Sequence, residues 1–97
     1  TGFKPAFLLI KKSSATENWI ITDNKRIGYN NQNYGFFANT TDAEQTGSDF
    51  QSIDLLSNGF KMRVNTGYNN LNGATYIYMA FAEAPLVGSN NVPANAR

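Results

Sequence analysis

The sequence predicts an all-β protein: one antiparallel β-sandwich, jelly-roll-like, over residues 1–84, followed by an extended C-terminal tail over residues 85–97. Three observations lead there. Asparagines recur along the whole chain, nearly always beside Gly, Ser, Thr or Asp, and such clusters close tight turns. Between these cuts lie short runs of β-branched and aromatic residues, which suit a pleated, half-buried surface. No stretch shows a convincing helical period, so the turns separate strands, and short strands with frequent turns make sandwiches or barrels.

The first element is expected over Phe3 to Lys12, with Pro5 at an edge or entry position and Phe7 and Leu9 alternating with Leu8 and Ile10. Both of its faces are apolar, as in a strand covered on each side. Asn18 to Thr22 places Trp19 and Ile21 on one face, Ile20 and Thr22 on the other, and ends in the polar turn Asp23-Asn24-Lys25-Arg26. A Gly-, Asn- and Tyr-rich loop from Ile27 to Tyr34 precedes a short strand over Gly35 to Thr40, and Asp42 to Ser48 is polar loop. In "SIDLLSNGFKMRV" the pair Asn58-Gly59 suits a two-residue type I′ hairpin turn. Beyond it Phe60, Met62 and Val64 alternate with Lys61 and Arg63, one face buried and one wet.

A second Asn-rich loop, from Asn65 to Gly73, leads to "ATYIYMAFAEAPL". Met, Ala and Glu favour helix, but the Thr-Tyr-Ile-Tyr start and the Pro85 end favour a strand over Thr75 to Glu83. Its parity puts Ile77, Met79 and Phe81 on one face, expected in the core, and Tyr76 and Tyr78 on the other, expected either to meet a covering layer or to form a contact between copies of the chain. The run is far short of the roughly 20 apolar residues of a spanning helix, so no membrane insertion is expected. The tail from Pro85 to Arg97 has no period.

Composition excludes whole classes of chemistry. The chain has 97 residues, enough for one core, with a net charge of +1, far from the basic excess of a nucleic-acid binder. It contains neither cysteine nor histidine, which removes Cys nucleophiles, Ser-His triads, disulfides and the usual zinc ligands. Its start at Thr1-Gly2-Phe3, without methionine or a signal-peptide pattern, suggests a segment of a longer or processed chain.

The remaining acid-base groups are Glu17, Asp23, Asp42, Glu44, Asp49, Asp54 and Glu83, and nothing in their spacing marks a glycosidase pair. Asp42, Glu44 and Asp49 are oxygen ligands of the kind calcium takes, but they lack the register of a calcium loop, so no metal and no cofactor is expected. Asp23 and Arg26 suit a turn-stabilising ion pair. Lys61 and Arg63, with Lys11 and Lys12, are either a basic patch for an anionic polymer or a solvated sheet face. The most suggestive mixture is Tyr29, Asn31, Tyr34, Tyr68, Asn69 and Asn70, because aromatic faces stack on sugar rings and amides bond hydroxyls. Aromatics in short loops also cap cores or fill contacts between subunits.

The segments "GFKPAFLLIKK", "NWIITDNKR", "SNGFKMR" and above all "ATYIYMAFAEAPLVGSNNVPANAR" resemble the β-rich domain that ends many proteins of marine tailed bacteriophages, including those of cyanobacteria. The resemblance spans nearly the whole chain; Leu55 stands where it leads us to expect an aromatic, so packing there is expected to differ. It implies a virion structural protein: a tail fibre, head appendage or capsid-surface module. Together with the lack of catalytic groups and the Asn- and Tyr-rich loops, the expectation is a non-enzymatic C-terminal domain of a tail fibre or appendage, exposed on the particle and presenting loops to a host-surface glycan. The expected partners are other virion proteins and, because the core is small and the Tyr76 and Tyr78 face is apolar, copies of the chain itself in a homo-oligomer such as a trimer. The alternatives are a capsid decoration or assembly protein and, more remotely, a polysaccharide-degrading enzyme. The resemblance assigns no catalytic or receptor-binding residue.

Overall fold

A computed structural model describes residues 1–26, 34–46 and 53–84 of the chain. Six strands follow one another: β1 (Pro5–Lys12), β2 (Ile20–Asp23), β3 (Phe36–Phe37), β4 (Ile53–Leu56), β5 (Gly59–Met62) and β6 (Tyr76–Ala82). The expected tail and the loop bearing Tyr29 and Asn31 lie outside the described residues.

Every strand pair is antiparallel, and the strands form a four-stranded sheet in the order β3-β2-β1-β6 and a separate β4-β5 hairpin. β1, β2 and β3 meander, and the last strand returns beside the first, which is the Greek-key order. The β4-β5 hairpin sits inside the long connection that makes this return possible, and it forms the second layer. The all-β, antiparallel expectation therefore holds, with two layers around one core.

β1 organises the fold. Pro5 is its first residue, where the missing N–H removes little of the ladder. The register shifts between Pro5 and Phe7, a bulge at Ala6 that inverts the parity, so Pro5, Leu8, Ile10 and Lys12 all face inward. Leu8 and Ile10 are fully buried against Ile20 of β2 and Ile53 and Leu55 of β4, with Phe37, Phe60, Met62, Tyr76 and Ala80 packed around them. Completely burying one such aliphatic side chain contributes about 1.5–3 kcal/mol, so this cluster dominates the stability of a small domain. Leu55 fills its expected core position, 3% exposed, although it is aliphatic.

Two expectations are corrected. The hairpin pairs Leu56 with Gly59 and Leu55 with Phe60, so the two turn residues are Ser57 and Asn58 rather than Asn58 and Gly59. This register sets Asp54 opposite Lys61 and Ile53 opposite Met62, matching charge with charge and apolar with apolar. Gly59 is the first residue of β5, and its φ is not positive. A Cβ there would lie 3.3 Å from the Thr1 backbone nitrogen, so glycine makes room for the N-terminal segment, whose Gly2 N–H donates to the Asn58 carbonyl.

The second correction concerns β6. Its parity is as expected but its sides are reversed: Ile77, Met79 and Phe81 are 52%, 55% and 53% exposed, and the core side carries Tyr76 and Ala80. Pairing explains the choice, because Tyr76, Tyr78 and Ala80 lie opposite Lys12, Ile10 and Leu8 on the face that the second layer covers. Ala80, opposite Leu8, packs against the buried cluster. Ile77, Met79 and Phe81 continue the outer rows of Lys11, Leu9 and Phe7, with Phe7 and Phe81 in edge-to-face contact at 5.5 Å. For the same reason β1 is covered, among the described residues, on its inner side only.

Candidate functional site

The loop between β5 and β6 is built by its own polar residues. The Asn70 N–H donates to the Thr66 carbonyl (3.2 Å), and the Thr66 hydroxyl donates to Asn69 Oδ1 (2.8 Å). Tyr76 secures the loop from the sheet: its hydroxyl donates to the Gly67 carbonyl (3.2 Å) and accepts the Leu71 N–H (3.0 Å). A half-buried tyrosine at the start of β6 is thereby satisfied, which is what a phenol on the core side requires.

The same end of the sandwich gathers two further loops. The Trp19 N–H donates to Asn39 Oδ1 (2.9 Å), and Asn39 Nδ2 donates to Asn18 Oδ1 (3.0 Å), joining the start of β2 to the turn after β3. Tyr68 packs on Phe37 with ring centroids 5.7 Å apart. Ser13 and Ser14 bond Thr75, which closes the ring of loops.

Trp19 itself is exposed and lines a shallow apolar depression with Leu9, Ile77, Tyr78 and Met79, of about 140 Å³. That volume is close to the cavity size that holds one benzene-sized ring.

Of the residues expected to bind a ligand, Tyr68, Asn69 and Asn70 come together at this end, and each has a distinct fate. Tyr68 both caps the core and remains partly exposed, Asn70 is exposed, and Asn69 is 2% exposed and taken up in holding the loop. Tyr34 is elsewhere, half-buried beside β2, where its carbonyl accepts the Thr22 hydroxyl (3.1 Å). Of the expected interface pair, Tyr76 is engaged in the loop, whereas Tyr78 is 54% exposed and meets Phe60 edge-on at 5.0 Å. Trp19, Asn18 and Asn39 are not among the residues the sequence marks as ligand-binding. Their only signal in the sequence is an aromatic next to an asparagine, and Asn39 joins them solely through the β2-β3 pairing.

The opposite end of the sandwich is charged. Asp23 receives the Lys25 N–H (2.9 Å) and pairs with Arg26 (2.9 Å), the turn-stabilising ion pair expected there. Arg26 also reaches Glu44 and stacks over Phe36, 4.3 Å from the ring centre. Lys4 pairs with Glu83 (3.0 Å), and Asn24 donates to the same carboxylate (3.3 Å).

With Glu44 held by Arg26 and Asp42 accepting from Thr40 (3.0 Å), these two carboxylates serve the loop; Asp49 lies outside the described residues. No group of three or more metal-ligating side chains converges among the described residues. The basic residues are likewise dispersed. Arg63 pairs with the buried Asp54 (2.6 Å), Lys11 turns its ammonium back onto the carbonyls of Lys12 and Ala15, and Lys12 is itself buried.

Fold and surface together define a small antiparallel β-sandwich domain of Greek-key order, with aromatic and asparagine side chains gathered on the loops of one end. Within that class the chain belongs to DUF7483, a domain of unknown function, whose family pattern matches residues 1–85. No curated protein and no solved structure matches it.

Proposed function

We propose that this domain is a non-enzymatic module of a virion, the C-terminal domain of a tail fibre or appendage, which presents its loop end to a glycan of the host surface. One observation supports the binding role most. The exposed Trp19 borders an apolar depression of single-ring size, and the amides of Asn18 and Asn39 are bonded to each other and to the Trp19 backbone N–H on a scaffold held by strand pairing. A sugar ring offers an apolar face for stacking and hydroxyls for amide partners, so this grouping suits it without any charge. Placement in a virion rests on the sequence resemblance alone. The expected partners are other virion proteins and further copies of the chain.

The test is a glycan array probed with the isolated domain, followed by Trp19→Ala. Binding that falls at least tenfold in the variant supports the reading. Absence of binding, together with normal adsorption of virions that lack the domain, removes it.

The second reading, a capsid decoration or assembly protein, is favoured by the exposed Ile77, Met79 and Phe81, which suit a protein contact better than a sugar. Locating the chain in a particle reconstruction separates the two, because density at the distal tip of a tail excludes decoration.

A further inference from the structure

β6 is the edge of the four-stranded sheet, and among the described residues no strand pairs with its outer side. Natural edge strands are usually short, bulged, or guarded by lysine or proline. β6 has none of these defences: seven residues, Tyr-Ile-Tyr-Met-Ala-Phe-Ala, with neither charge nor proline, and the bulge in its ladder lies on β1. The other edge of the sheet, β3, has two residues, too few for β6 of a second molecule to pair along. Head-to-tail assembly through this sheet is therefore blocked, while pairing of β6 with itself forms a closed two-fold contact.

Antiparallel self-pairing can be checked residue by residue. With the two-fold axis at the central residue, Met79 faces the partner's Met79, Tyr78 faces the partner's Ala80, Tyr76 faces the partner's Ala82, and Ile77 faces the partner's Phe81. On the inner side every tyrosine thus meets an alanine, large against small. On the outer side the half-exposed Ile77, Met79 and Phe81 meet only apolar side chains. Just beyond the strand, Glu83 faces the partner's Thr75, so no like charges are opposed. Opposite apolar pairs of this kind stabilise a sheet, and opposed like charges would have disfavoured it.

We propose that two copies of this chain associate through β6, in antiparallel register centred on Met79, to form one continuous eight-stranded sheet. The contact does not depend on the virion reading: a virion protein that fails to pair this way, and a pairing protein outside any virion, are both possible results of separate experiments.

Cysteine substitution tests the register, since the chain contains no cysteine of its own. Residues directly opposed in an antiparallel pair have Cα atoms about 4.5–5.5 Å apart, within the reach of a disulfide. Met79→Cys is therefore expected to cross-link almost completely into dimers under mild oxidation. Ile77→Cys, whose two copies would stand about 13 Å apart, is expected to cross-link at least tenfold more slowly. Combining Ile77→Cys with Phe81→Cys restores rapid cross-linking. Sedimentation of the unaltered chain at tens of micromolar is expected to show a dimer. A monomer, a trimer, or equal cross-linking of the Met79→Cys and Ile77→Cys variants overturns the proposal.

Discussion

The two faces of the four-stranded sheet are made of similar side chains and live in different surroundings. Inward lie Leu8, Ile10, Ile20 and Ala80; outward lie Phe7, Leu9, Ile21, Met79 and Phe81. Only the first set is sealed by Ile53 and Leu55 of the second layer, while Leu9 remains half-buried and Met79 and Phe81 are about half exposed. Hydropathy cannot tell these faces apart. What separates them is where the hairpin docks, and that follows from shape: the covered side offers small Ala80 next to the large β1 residues, and a phenol whose hydroxyl reaches a loop.

Neighbouring leucines give the sharpest test of this contrast. Leu8→Ala, which opens a cavity in the sealed core, is expected to lower stability by about 2–5 kcal/mol. Leu9→Ala, one residue away on the open face, should lose roughly 1 kcal/mol, since much less area leaves contact. Urea midpoints at constant m-value measure both, and equal losses would mean that the outer face is covered too. Next in size is Tyr76→Phe, which removes the hydroxyl shared by the Gly67 carbonyl and the Leu71 N–H. A loss of about 1 kcal/mol is expected, with faster hydrogen exchange at the Leu71 amide as its local signature. The smallest effect belongs to the exposed rim: Glu83→Gln breaks the Lys4 pair and should change stability by less than about 0.5 kcal/mol.

Much of the fold was legible because strand physics is local. Alternation identified β5, the β-branched and aromatic start together with Pro85 identified β6, Pro5 marked the entry to β1, and the Asp23-Arg26 turn carries its ion pair. What misled was chemistry with two uses. Asn-Gly is a favoured turn pair, yet here glycine was needed for the close approach of Thr1, and the turn formed one residue earlier. In β6 the two faces are equally apolar, so the period fixes which residues share a side without fixing which side is buried. The loop end was legible only in part. Tyr68, Asn69 and Asn70 are contiguous in sequence, but Trp19 and Asn39 are twenty residues apart and meet through strand pairing.

The register of β1 against β6 also bears on how the molecule is made. Pro5 pairs with Ala82, so β1 must wait for β6 to be synthesised before its second ladder can close. Contacts this distant in sequence delay folding, because a long loop must be ordered before its closure is rewarded. Until then β1 offers an unpaired edge and two greasy faces to whatever is nearby, conditions that favour aggregation. Production of this domain should accordingly be most vulnerable while synthesis is incomplete, and anything that shields the nascent β1 should raise the yield of folded protein.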